Sequence, residues 1–347
     1  MNIFSLFIFG IVLLLYLHIF YQLKTSNDKE IYDVQDVTKE KLEEICDLRQ
    51  PALFNYSNNR VVDKTREVFS DVEGKYKNLA MNIHNSNIRD ENNMVELTFE
   101  NSKKLFKDDK KGNYTTYDNE YFLQKTKLQE VIENTDTYLK PALSSYSTYD
   151  ICLGSDDASD PLKYEVNYRN FISVIAGSVK IKLFSPNKAG NLYENKDYHK
   201  FKFTSPINPW QVQPKYKKDI DLMEQMDVTV STGRTIFIPA YWWYSIQYKK
   251  NSIVCLHKYR TYMNDLAILP KLIKHFLQSH NVKHRTIPVV KQESNINIEK
   301  SGPPKKKRKK EKEENKEKKE KKGKKEKDEN KEKKEKKEKD ENKDDTV

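Results

Sequence analysis

Two apolar stretches joined at a single glycine constrain this chain more than any other feature. Asn170-Phe171-Ile172-Ser173-Val174-Ile175-Ala176 runs into Gly177, and Val179-Lys180-Ile181-Lys182-Leu183-Phe184 follows before Ser185-Pro186 ends it. The second stretch alternates apolar and basic residues, the period of a strand with one buried face. Taken with Tyr149-Asp150-Ile151-Cys152-Leu153-Gly154 and Asp160-Pro161-Leu162-Lys163-Tyr164-Glu165 before it, the region reads as a turn, a strand, a Gly turn and an alternating strand ended by proline. That order predicts an antiparallel barrel.

Two further segments narrow the choice. Near the start, Ile31-Tyr32-Asp33-Val34 reads as a strand, Thr38 can cap a helix from Lys39 to Leu48, and Pro51-Ala52-Leu53-Phe54 opens the next strand. Near the end comes Gly233-Arg234-Thr235-Ile236-Phe237-Ile238-Pro239-Ala240-Tyr241-Trp242-Trp243-Tyr244-Ser245-Ile246. These segments, with the Asp160-Pro161-Leu162 and Leu183-Phe184-Ser185-Pro186 motifs, resemble the cupin-like JmjC family of iron(II) and 2-oxoglutarate oxygenases over most of residues 31–260. The resemblance implies a mainly β fold with flanking helices, built around a double-stranded β-helix (cupin, or jelly-roll) domain.

The same resemblance makes catalysis doubtful. In that family two histidines and a carboxylate hold iron(II), leaving open positions for 2-oxoglutarate and oxygen. The second histidine falls on Tyr244. Matching back from Asn170 without a gap puts the first histidine on Tyr164 and the carboxylate on Val166. Matching forward from Asp160-Pro161-Leu162, with one inserted residue, puts them on Lys163 and Glu165. Neither register contains a histidine, and a phenol or an ammonium substitutes poorly for neutral imidazole. The lysine that pairs with the co-substrate falls on Val179, and Lys180 faces the other way on a regular strand. The expectation is therefore a non-catalytic binding or structural module with no cofactor. The alternative is an atypical oxygenase (hydroxylase), using iron(II) and 2-oxoglutarate with unusual ligands such as Glu165 and His257.

Other residues admit functional readings. On the strand Ser252 to Tyr259, Ile253, Cys255 and His257 share a face, and the resemblance implies that this face looks into the barrel. Cys255 and His257 would then line a pocket with Tyr244 and Glu165. Trp242 and Trp243 read either as core packing or as a stacking platform in that pocket. After the barrel, Asp265 can cap a helix carrying Leu266, Leu269, Leu272, Ile273 and Phe276, which in the family covers the barrel or forms a homodimer interface. Residues 60 to about 145 are rich in Asn and Lys, with one clear helical stretch near Thr126 to Ile132.

The two ends differ sharply from this middle. Ile3 to Leu23 is an apolar run of 21 residues, enough to cross a hydrocarbon core of roughly 30 Å as a helix. No Lys or Arg precedes it and no small-x-small cleavage site follows, so it reads as an uncleaved anchor over residues 1–24. Lys24, Lys29, Lys39 and Lys41 place the C-terminal side in the cytoplasm by the positive-inside rule. The sequons at Asn55 and Asn113 point the other way if glycosylated, and three widely spaced cysteines imply no disulfide framework. Residues 31–290 form the cupin-like domain, and 291–347 a Lys/Glu-rich low-complexity tail. From Lys305 onward the tail carries 22 basic and 15 acidic residues and holds most of the chain's net charge of +11. It is a disordered or solvated helical segment. Its start, Lys305-Lys306-Lys307-Arg308-Lys309-Lys310, suits anionic lipid, nucleic acid phosphate or an import receptor, or merely solubilises the chain. The Pro239-Ala240-Tyr241-Trp242-Trp243-Tyr244-Ser245 variant and the bias to Lys, Asn, Ile and Tyr resemble cupin-like proteins of large DNA viruses, which implies a host membrane or a virion.

Overall fold

The computed structural model describes residues 3–26, 28–35, 37–71, 74–88 and 94–281. The basic run Lys305–Lys310 and the tail around it lie outside the described residues.

Strand succession after residue 169 builds the barrel, because the chain switches sheets at nearly every turn. Arg169–Ala176 lies in a nine-stranded sheet, and Ser178–Phe184 and Gln225–Ser231 lie in a six-stranded one. Arg234–Pro239 returns to the first sheet, Trp243–Tyr248 to the second, and Ile253–Thr261 to the first again. Two facing sheets wound by one chain in this way form the expected double-stranded β-helix, mainly β with flanking helices.

The first crossover is as tight as it can be. Gly177 alone separates strands of different sheets, at φ +70°, and a Cβ there would stand 2.8 Å from the Ser252 Cα. Glycine is required by both the left-handed backbone and the contact. The strand it launches alternates as its sequence demands: Val179, Ile181 and Leu183 are buried, and Lys180 is exposed.

Between the sheets, Ile172, Val174, Ile236, Ile238, Val254 and Leu256 meet Val179, Ile181, Leu183, Ile246 and Tyr248 in one cluster. Each such aliphatic side chain contributes about 1.5–3 kcal/mol when fully buried, which makes this inter-sheet layer the main source of cohesion.

A second layer covers the back of the nine-stranded sheet. The helices Asn59–Ser70, Phe99–Asp108, Glu120–Thr126 and Leu128–Glu133 set Val61, Val68, Phe99, Phe122, Leu128 and Ile132 against Ile151, Ile175, Ile253 and Cys255. Residues 60 to 145 are thus far more regular than the single expected helix near Thr126–Ile132, with the strands Ala80–Asn85, Met94–Thr98 and Tyr114–Thr116 extending the sheet. Their polar outer faces conceal sparse apolar residues that pack only once the sheet is present.

At the N-terminal edge, Thr38 caps the helix Lys39–Asp47 as its sequence predicts, accepting from the Lys41 backbone N–H at 3.3 Å. The buried guanidinium of Arg169 holds this helix through Glu43. At the C-terminal edge the expectation needs correction. Thr261, not Asp265, is the cap, accepting from the Asn264 N–H at 3.1 Å, and Ile268 divides the segment into helices Tyr262–Ala267 and Leu269–Asn281. Asp265 is instead drawn to Arg260, 3.3 Å away.

Candidate functional site

A cavity of about 600 Å³ opens at one end of the barrel, and Lys163, Glu165, Lys202 and Lys258 all reach it. Glu165 stands at its chemical centre. One of its oxygens, Oε1, accepts from the Lys258 ammonium at 2.6 Å and from the Tyr244 hydroxyl at 3.3 Å. A second cation, Lys163, lies 3.9 Å from Asp160 Oδ2, 5.3 Å from the Tyr117 ring centroid and 5.6 Å from that of Tyr244. Such ring faces attract a cation and partly replace its lost water.

Protonation follows from these neighbours. Burial works against the charge on Lys258, but Glu165 more than offsets it and the ammonium is held above its usual range. Lys163 behaves alike, with burial opposed by Asp160 and then Glu165. Burial and the charge of Glu165 push the Tyr244 phenol well up, so it stays a donor. The site is therefore two ammonium groups and a protonated phenol around Glu165, with Asp160 a second carboxylate beside Lys163.

A second polar group faces the same cavity. Lys202 pairs with Asp118 and lies 5.4 Å from the Tyr117 ring, on which His84 also stacks at 3.7 Å. Asp150 accepts from the backbone N–H groups of Asp118 at 2.6 Å and Asn119 at 2.9 Å. Burial and the neighbouring Asp118 carboxylate nevertheless push it up to about 6.

Of the two candidate registers, the fold brings the residues of one together. Lys163 and Glu165, which line the cavity, meet Tyr244, which is buried behind them in the inter-sheet cluster. Tyr164 instead stacks on Phe203 at 5.0 Å, meets Trp243 edge-on at 4.8 Å and donates to Glu194 at 2.5 Å, and Val166 joins it in the outer cluster with Trp243. Alternation along the strand separates the two sets onto opposite faces.

The remaining pocket assignments change. Cys255 and His257 do not face the cavity, which takes Leu256, Lys258 and Arg260 from the same strand. Val254 and Leu256 lie in the inter-sheet cluster, so the even-numbered residues of this strand point inward, while Ile253 and Cys255 share the opposite face under the helical layer. His257 sits there too, 3.8 Å from the Cys255 sulfur and edge-on to Tyr149 at 6.0 Å. Trp242 and Trp243 are no platform either. Trp242 is fully buried in the inter-sheet cluster and Trp243 in the outer one, so neither offers a ring face to the cavity.

The residues missed by sequence reasoning are Lys258, Lys202, Tyr117, Asp118 and Asp150. Lys258 is recoverable from the opposite parity of the Cys255-Leu256-His257-Lys258 strand. The others come from distant segments with no motif. Among the described residues, no three His, Cys, Asp or Glu side chains gather where they would hold a metal ion.

Two facing sheets wound by a single chain, with a polar cavity at one end of the barrel, define a cupin-type domain. Residues 38–265 match the family described as "Cupin-like domain", about two thirds of the chain, and the protein belongs to that family. No curated protein matches it significantly.

Proposed function

We propose that this is a membrane-anchored protein whose JmjC-type barrel has given up iron-dependent catalysis and serves as a binding or structural module. The observation that carries this reading is the 2.6 Å pair between Lys258 and Glu165. The one carboxylate that a metal would use is already neutralised, and a divalent cation there would also face the Lys163 ammonium. Such donors do not fit iron(II), which needs deprotonated carboxylate and neutral imidazole together. The co-substrate position, Val179, lies in the apolar inter-sheet cluster with no charge to offer. The rival oxygenase reading relied on Glu165 and His257, which face opposite sides of the nine-stranded sheet.

The anchor reading has its own support. The helix Ile3–Leu23 is long and apolar enough to cross a membrane, a test that a signal sequence also passes. Its last turns are built into the domain, however. Arg49 donates to the Gln22 carbonyl at 3.2 Å, and His18 Nε2 lies 3.3 Å from the Met263 carbonyl. A segment destined for removal has no use for such contacts. With the domain on the cytoplasmic side, Lys305–Lys310 would meet anionic lipid.

Full-length protein in detergent, given iron(II) and 2-oxoglutarate, should bind no stoichiometric iron and release no succinate above a boiled control. Stoichiometric iron with succinate release overturns the reading.

A further inference from the structure

Several of the exposed apolar residues of this protein are gathered near the C-terminal helices, although others, such as Leu48, Val95 and Leu222, stand elsewhere on the surface. Beyond the N-terminal helix, Leu143, Tyr262, Met263, Ile273, Phe276 and Leu277 are all between 46% and 69% exposed. Leu269, Ile273, Phe276 and Leu277 follow the i, i+4, i+7, i+8 spacing of one helix face. That face points outward, because the inner side of Leu269–Asn281 is already committed. Leu272 packs on the outer cluster with Trp243, and His275 Nδ1 lies 2.6 Å from the Tyr198 carbonyl. An amphipathic helix that turns its apolar side to solvent marks an interaction surface.

The position of this surface relative to the N-terminal helix identifies its partner. The helix Tyr262–Ala267 packs directly against Ile3–Leu23, and it is the Met263 carbonyl that meets His18. Leu143, next to it, accepts from the Tyr262 N–H at 3.2 Å. His18 lies five residues before the end of the span, and five residues at 1.5 Å each set Met263 about 8 Å below its C-terminal end. An interfacial helix buries its apolar face roughly 5–10 Å into the boundary between headgroups and acyl chains, so the depths agree. Tyr21 and Tyr262 would then stand at headgroup level, where amphipathic rings are favoured.

We infer that the Tyr262–Ala267 and Leu269–Asn281 helices, with Leu143, form a monotopic lipid-contacting face that seats the cupin domain directly on the bilayer. The inference rests on the reading of Ile3–Leu23 as a membrane span. The domain would be held at fixed height and tilt, with Arg49 and His18 as the clamps between span and domain.

The test uses full-length protein in phosphatidylcholine and phosphatidylserine vesicles. Single cysteines are introduced by Phe9→Cys, Lys111→Cys, Ile273→Cys or Phe276→Cys and labelled with an environment-sensitive fluorophore. The native Cys46, Cys152 and Cys255 are buried and should stay unlabelled. Probes at 273 and 276 should shift to the blue and be quenched by nitroxide-labelled lipid, as at position 9, while the probe at 111 is not. Quenching at 9 without quenching at 273 and 276 overturns the inference and leaves the span intact. No quenching at 9 overturns the span and the inference together. A blue shift at 273 and 276 that grows with protein concentration and resists lipid quenching assigns the face to a second copy of the chain, and also overturns it.

Discussion

His257 and Lys258 are consecutive residues on one strand, both basic and both largely enclosed, yet they have opposite fates. Lys258 faces the cavity and keeps its charge, because Glu165 stands 2.6 Å away. His257 faces the helical layer with no hydrogen-bond partner on Nδ1, and burial drives its pKa down to about 4 despite the nearby charge of Asp136. Burial alone does not decide whether a basic group is charged; a partner at contact distance does. At this strand the cavity side supplies a partner for charge and the back side leaves His257 without one.

The comparison is broken most severely by removing the partner. In Glu165→Ala, Lys258 and Lys163 lose the carboxylate they share, and loss of a buried partner costs about 3–5 kcal/mol. The Lys258 side chain retains 26% of its exposure, which places the expected loss in the lower half of that range. Urea denaturation measures it. Glu165→Ala combined with Lys258→Met should recover part of the loss, giving a coupling energy that a surface pair would lack. A cost below about 1 kcal/mol for the single change would mean the pair behaves as an exposed one.

Acid tests the other face. The folded-state pKa of His257 lies below the usual 6.5, so its contribution is present above pH 6.5 and is lost as pH falls towards 4. A shift of that size corresponds to about 3 kcal/mol at most. His84, lowered to about 4 by burial against the opposing pull of Asp118, acts in the same direction. Asp150 acts against both: its raised value, about 6, favours the folded state at low pH and is lost as pH rises from 4 to 6. Two histidines against one aspartate leave a net loss on acidification. His257→Leu should therefore flatten the stability profile between pH 4 and 6.5, because His84 and Asp150 then nearly cancel. An unchanged slope in that variant would mean that His257 is not neutral in the fold.

How much of this was legible beforehand follows the same division. The strand Ser178–Phe184 and its glycine were plain, since Val179, Ile181 and Leu183 against Lys180 and Lys182 admit only one inward face. The Thr38 cap was equally plain, being a local interaction of neighbours in sequence. The strand Ile253–Thr261 was not. Almost every residue of Ile253–Tyr259 is buried, one face by the barrel and the other by helices, so alternation groups Ile253, Cys255 and His257 correctly but carries no signal as to which face looks inward. The helical layer was hidden for a related reason, because its few apolar residues acquire meaning only against the sheet. Tyr117, Asp118 and Asp150 entered the cavity through pairing between distant strands, which no local pattern announces.

The smallest expected effect asks whether the cavity face can be turned back towards metal binding. Lys163 and Glu165 line the cavity and meet Tyr244, which is buried in the inter-sheet cluster, whereas Tyr164, which also reaches the cavity, and Val166 pack in the outer cluster with Trp243. Lys163→His with Tyr244→His and Lys258→Met would leave Glu165 free beside two imidazoles, with the competing ammonium groups gone. Tyr164→His with Val166→Asp and Tyr244→His would instead bury a polar pair among Phe203 and Trp243, and should unfold before it binds. Outer hydrogen-bond partners that orient ligating imidazoles are worth 10- to 100-fold in affinity, and these substitutions introduce none. The first variant should therefore gain only about tenfold in iron(II) affinity over the unmodified chain, roughly 1.4 kcal/mol. Anaerobic titration calorimetry reads both variants. Tighter binding by the second than by the first would show that the gapless register, and not the cavity, preserves the geometry of the metal site.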